Sequence, residues 1–188
     1  MQPIETSEIK NLADYEIERQ TLRPAMIALK DRRRVRVGEH LTFLFENRAT
    51  VRYQIQEMIR IERIVKLEEI RREVETYNEL IPARGELAAS LLIEYETPEQ
   101  RNVELPRLLG LDRHIWIAAG NERTPALFDP RQIGDTRISS VQYLKFRLTP
   151  AQIEAWNRGA KIVVDHPHYQ AESALTPAEL AELSHDFA

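Results

Sequence analysis

The chain contains no cysteine. That excludes disulfides, a thiolate nucleophile, a thiolate-held zinc and a Cys-ligated iron–sulfur cluster, leaving His, Asp and Glu to hold any metal. Glycine is scarce, with 6 residues in 188, and none sits in a phosphate-cradling loop. A nucleophile elbow and a helical H-E-x-x-H pair are missing as well. No apolar run approaches the length of a membrane span. The opening "MQPIETSEIK" is polar and acidic and does not read as a leader, so the expected location is the cytoplasm.

What the chain does have is the make-up of a soluble globular protein, 43% hydrophobic and 30% charged. Its length suits one domain with a substantial core. A net charge of −4 argues against general nucleic-acid affinity. Of the 26 cations, 21 are Arg and 5 are Lys; guanidinium forks pair with carboxylates or phosphates, although an Arg-rich codon usage gives the same bias. The charge is unevenly placed. "KDRRRVR" (30–36) sums to +4, whereas residues 169–188 hold four acids and no Lys or Arg. The basic run suits an acidic protein partner, or an edge strand whose Arg side chains discourage pairing with other chains.

One local motif recurs three times: Thr97-Pro98-Glu99-Gln100, Thr149-Pro150-Ala151-Gln152 and Thr176-Pro177-Ala178-Glu179. A Thr cap, Pro at the first helical position and Gln or Glu at the third form a capping box, so helices are predicted to begin near 98, 150 and 177. Gly159 closes the second. Alternation predicts strands at Leu87–Tyr95 and Leu144–Leu148, short strands at 114–119, 124–128 and 160–165, and a hairpin from Val35 to Phe45 turning at Gly38-Glu39-His40. A first helix is expected over 14–30, with Pro24 a weak point. Residues 48–80 read as helix, but the apolar stripe Leu67, Ile70, Val74, Tyr77 and Ile81 would share a face with Arg52, Gln56, Arg60 and Arg63. A break near 65–67 resolves that conflict. The expected fold is α+β, a single domain with a mainly antiparallel sheet packed against a central helix pair. The domain is expected over 1–170, followed by an acidic C-terminal tail (171–188) with a short helix. On that helix Leu180, Leu183 and Phe187 share a face that packs on the domain, a partner or a second copy of the chain.

The segment "VRYQIQEMIRIER" (51–63) carries the polar anomalies. At roughly 100° per residue, Val51, Ile55, Met58, Ile59 and Val65 form an apolar arc with Glu62 in its middle. A buried acid there would be a general base, a metal ligand or half of an internal ion pair; at a frayed end it would pair with Lys66. Arg52, Gln56 and Arg60, with Arg63 and Glu57 beside them, have the spacing of an anion clamp or of a solvated charged face. In "DHPHY" (165–169), Asp165, His166 and His168 offer the start of a metal site, or turn and capping groups.

Five stretches together resemble a bacterial family known only as domain of unknown function 3501: "GEHLTFLFENRATVRYQIQEMIRIERI" (38–64), "YNELIP" (77–82), "LLIEYE" (91–96), "VQYLKFRLT" (141–149) and "DHPHY" (165–169). The resemblance covers about residues 12–170 and leaves the acidic tail outside. It departs at His168, where the family pattern has a small residue. The resemblance implies neighbours in gene order of two kinds, rubrerythrin-like di-iron proteins and iron–sulfur oxidoreductases. The function it implies is therefore that of a cytoplasmic accessory or adaptor protein in redox or peroxide defence, non-catalytic by itself, holding no cofactor. Such a protein would partner a rubrerythrin-like or iron–sulfur oxidoreductase protein, or a second copy of itself. The alternative is a protein, with or without enzymatic activity, that binds an anionic small molecule or a metal through the Arg52/Gln56/Arg60 face and His166. That alternative requires α-helical residues 52–60 and the 165–169 turn to meet in one cavity.

Overall fold

The computed structural model describes residues 1–187. In chain order the elements are α1 (Leu12–Arg32), β1 (Arg34–Val37), β2 (Leu41–Glu46), α2 (Arg48–Glu62), α3 (Leu67–Asn78), β3 (Glu86–Ile93), α4 (Pro98–Arg107), β4 (Ile115–Ala119), β5 (Glu122–Pro125), β6 (Leu127–Phe128), β7 (Val141–Arg147), α5 (Pro150–Ala155), β8 (Ala160–His166), β9 (Tyr169–Ala174) and α6 (Pro177–Ser184). The class is α+β, as the residue pattern predicts. The strands form two antiparallel sheets and not one: sheet A in the order β1-β2-β3-β7-β6, and sheet B in the order β5-β4-β8-β9.

The two sheets face each other because their strands alternate. Phe43, Phe45, Leu87, Leu91 and Phe146 point inward from sheet A, and Ile115, Ile117, Ile162 and Val164 from sheet B, all buried in one core. Side chains of this size contribute about 1.5–3 kcal/mol each when fully buried. Residues 122–128 cross from one sheet to the other at buried Ala126, whose N–H donates to Ile115 O at 2.9 Å. The opposite edges are joined by Tyr169: its hydroxyl donates to Val37 O at 2.7 Å and accepts from His40 N at 3.0 Å. Gly38, at φ +68°, makes the β1–β2 turn, and a Cβ there would run into that same hydroxyl.

Helices α4, α5 and α6 begin at Pro98, Pro150 and Pro177, each with a Thr cap and a complete capping box. Pro24 lies inside α1, on its exposed side, and does not interrupt it. The break between α2 and α3 falls at 63–66. There Arg63 turns left-handed (φ +53°) and Ile64 N–H returns to Ile59 O at 3.0 Å, a helix-ending loop usually given to Gly. α1, α2 and α3 form a layer outside sheet A with a second core of its own, made by Ile4, Val51, Ile55, Ile59, Val74 and Ile81.

The segment from 171 onward is part of the body of the fold. β9 already extends from Tyr169 to Ala174 in sheet B, so the boundary expected at 170 falls inside a strand. α6 does supply the expected short helix, and Leu180 and Leu183 enter the main core. Ala188, the last residue of the expected tail, lies outside the described residues. The basic run and the acidic C-terminal segment meet each other. Arg33, with a fully buried side chain, forms ion pairs with Asp186 and with Glu182 (3.2 Å), and donates to Phe45 O at 2.9 Å. Arg32 takes the other oxygen of Glu182 at 3.1 Å. Among the described residues no helix is long and apolar enough to cross a membrane.

Candidate functional site

Helix α2 lies between α1 and α3 in its layer, with Val51, Ile55 and Ile59 buried. The expectation that Glu62 is buried among them is overturned. Glu62 is the last residue of α2 and is exposed, as are Ile61, Arg63 and Val65 on either side. The apolar arc was right in angle, but its far end projects past the neighbouring helices into water.

The Arg52/Gln56/Arg60 stripe is largely occupied by internal partners. Gln56 is buried and clamps the backbone of Lys10, accepting from its N–H and donating to its carbonyl, both at 3.0 Å. Glu57 accepts from the Tyr15 hydroxyl at 2.7 Å and from Arg19 at 2.7 and 3.1 Å, and Arg60 reaches it at 3.3 Å. Burial opposes the charge of Glu57, but these three donors outweigh it and hold its carboxyl down at about 2. Arg60 also contacts Glu16 at 3.6 Å. Arg52 is exposed, and the cavity it shares with Gln56 and Tyr15 is only about 20 Å³, room for a water or two. This face joins α1 to α2.

The metal set at 165–169 also fails. His166 is buried with both ring nitrogens engaged, Nε2–H donating to Leu109 O at 3.0 Å and Nδ1 accepting His168 N–H at 3.2 Å. Asp165 points to the opposite side of β8, where it accepts from His114 Nδ1 at 3.0 Å and Trp116 Nε1 at 3.3 Å. Those two donors overcome the burial that opposes its charge and lower its pKa. Among the described residues no group of three His, Asp or Glu has the arrangement of a metal site. The α2 face belongs to the helical layer and His166 to sheet B, so one cavity does not unite them.

A much larger concavity lies elsewhere, a groove of about 900 Å³ between α3, the outer face of β3 and β7, and the 127–132 segment. It arises because the helical layer and the sheets bury separate cores and meet only along part of sheet A. Its inner wall holds Glu46, the last residue of β2, which is 7% exposed. The Glu46 carboxylate accepts from the Thr50 hydroxyl at 2.5 Å and the Ser90 hydroxyl at 2.8 Å. Among the described residues no Lys, Arg or His nitrogen lies within 4.0 Å of it, although Arg33 donates to its backbone carbonyl at 3.3 Å. A buried carboxylate held only by neutral donors is costly.

The cations of the groove are committed to other acids. Arg147 and Lys145 meet Glu86 at 2.8 and 3.8 Å. Burial works against the Glu86 charge, but Arg147, the Ala83 N–H and Lys145 prevail and lower its pKa. Arg131 is held by Glu79 at 2.5 Å and Asp129 at 2.7 Å. Glu46, Glu62 and Glu73 are left facing the groove without an ion pair among the described residues. Partial burial, together with the nearby Glu62, raises the pKa of Glu73. Tyr77 and Tyr143 also line the groove, and their phenols are pushed up first by burial, then by Tyr143 in the case of Tyr77 and by Glu46 in the case of Tyr143. Of the nominated residues only Glu62 reaches this place. Glu46 had a legible signal: on β2 both Leu44 and Phe45 are apolar, so the strand is covered on both faces and an acid on it is buried.

A family model described as "Protein of unknown function (DUF3501)" matches residues 3–187, which takes in the C-terminal segment that the five motifs left out. A crystal structure of a protein of unknown function from Burkholderia pseudomallei K96243 is similar over 100% of both chains, with 33% identity and a TM-score of 0.93. No curated protein shows significant similarity to the chain. With its helical layer, its paired sheets and its terminal helix all inside the matched span, the chain belongs to the DUF3501 family.

Proposed function

We propose that this chain is a cytoplasmic accessory protein that binds a small organic cation, an amine or quaternary ammonium group, in the groove between α3 and sheet A. The observation that carries this reading is Glu46, a buried carboxylate satisfied by two hydroxyls and without a cation at 4.0 Å, set in the wall of a groove large enough for a small molecule. A ligand cation would supply the missing charge. Tyr77 and Tyr143 would offer it aromatic faces, worth about 0.5–2 kcal/mol each where solvent is excluded. Glu62 and Glu73 would steer it in.

The test is a thermal-shift and calorimetric screen of the chain with primary, quaternary and polyamine ligands, repeated on Glu46→Gln. The amide keeps its size; its oxygen can accept from one of the two hydroxyls while its NH2 donates to the other, which rotates to accept, so the variant is expected to fold and to lose the ligand-induced rise in Tm. Equal shifts in both proteins, or none with any cation, would refute the reading. The partnership with a rubrerythrin-like or iron–sulfur oxidoreductase protein is a separate proposal supported by the family resemblance. Co-purification from native cells tests it, and recovery of the chain alone would count against it.

A further inference from the structure

A second concavity, of about 350 Å³, lies between the first turns of α4 and the loop that leads into β7. Its lining has a composition unlike that of the groove. Arg101 and Arg137 face it, with Asn102, Gln132, Ser139 and Ser140, and it includes no carboxylate. Glu99 and Asp135 lie on the same two stretches of chain but are not part of the wall. Neither Arg101 nor Arg137 forms an ion pair among the described residues, in a protein whose net charge is −4 and whose other groove cations are all matched.

The donors are fixed in place by bonds that leave them capacity to spare. Arg101 is half-buried and donates one N–H to Tyr95 O at 2.8 Å, which orients the guanidinium and leaves four N–H groups. The Ser139 hydroxyl accepts from Val141 N at 3.3 Å, so its own proton is available. Gln132 accepts from Tyr143 N at 2.9 Å through its oxygen, which leaves the amide N–H groups for a ligand. The loop is pinned to α4 by Ile138 N–H on Leu105 O at 3.3 Å. It doubles back so tightly that a Cβ on Gly134 would come within 2.6 Å of Arg137 O.

We infer that this pocket is an anion site for a phosphate group, either inorganic phosphate or the phosphate of a small monoester. Paired guanidinium forks with hydroxyl and amide donors, in a wall free of acids, match a tetrahedral dianion with several acceptor oxygens. The volume exceeds that of the anion itself and leaves room for a small organic body. The site is distinct from the groove, although Gln132 lines both.

Isothermal titration of the full chain with inorganic phosphate, with glycerol 3-phosphate and with succinate tests it. Saturable one-to-one phosphate binding is expected, weakened at least tenfold in Arg137→Gln and lost in Arg101→Gln/Arg137→Gln. Tighter binding of glycerol 3-phosphate than of phosphate would assign the monoester as the ligand, and the reverse would assign the free anion. Glu46→Gln should bind phosphate as the unaltered chain does, which separates this site from the groove. Absence of saturable phosphate binding, an unchanged affinity in Arg137→Gln, or tighter binding of succinate would overturn the inference. Should the double variant fail to fold, Arg137→Gln decides alone, since that side chain is exposed on its loop.

Discussion

Replacing Glu57 by Gln removes a charge from the joint between α1 and α2 while keeping the shape of the side chain. In the folded protein the carboxyl is held at about 2 against an ordinary value of 4.5. At about 1.4 kcal/mol per tenfold change in proton affinity, the gap sets a ceiling of about 3 kcal/mol. Arg19, the main donor, is 25% exposed, and solvent screening reduces the expected contribution to about 1–2 kcal/mol. Because folding lowers this pKa, the stabilisation is present above about pH 4.5 and is lost as the pH falls toward 2; more than half should be gone by pH 3. Urea unfolding of both proteins at pH 7, 5, 4 and 3 measures the difference. Glu57→Gln should be about 1–2 kcal/mol less stable at pH 7, and the two curves should converge on acidification. A difference that stays constant from pH 7 to pH 3 would show that the loss is one of packing and would refute the electrostatic account.

Arg33→Met should cost about 3–5 kcal/mol by chemical denaturation, because it strands the buried Asp186 and two backbone carbonyls; a loss under 1 kcal/mol would mean that the pair breaks even. Hydrogen exchange should find α2 and α3 opening before β3 and β7. Among the described residues the helical layer has six buried apolar side chains in its core, against 27 between the sheets. Exchange of all four elements at one common free energy would contradict this.

Local chemistry was the legible part of the sequence. Each Thr-Pro-x-Gln or Thr-Pro-x-Glu stretch carries its whole cap within four residues, so its outcome depends little on what surrounds it. The α2–α3 break could be inferred because one straight helix cannot both bury and expose the same face. Glu62 was misplaced for a related reason: periodicity gives the angle of a residue around a helix but not how far along its axis the neighbours reach. The metal set failed because alternation along β8 sends Asp165 and His166 to opposite sides, and the capping role weighed for the histidines took both nitrogens of His166. The run of Arg at 32–34 posed a question that spacing could not answer. Its acidic partner is 153 residues away, in the segment assigned to a tail.

That long-range pairing also explains why the groove is where it is. Arg33 stands at the junction of α1 and β1 and binds the carbonyls of Phe45 and Glu46 on one side and, on the other, Glu182 of α6 and Asp186 just beyond it. It therefore fixes the end of β2 from which Glu46 projects, and it does so with a fully buried charge that already has its carboxylates. The Glu46 side chain gains no share of that charge. It extends from the outer face of sheet A toward α2 and α3, where the hydroxyls of Thr50 and Ser90 are its only direct partners among the described residues. One buried Arg thus sets the backbone of a buried acid while leaving its side chain uncompensated at the seam of two separate cores. A fold selected only for stability would gain by covering that seam with apolar side chains or by adding a cation there; an open wall with an acid in it is the arrangement expected of a surface kept for a ligand.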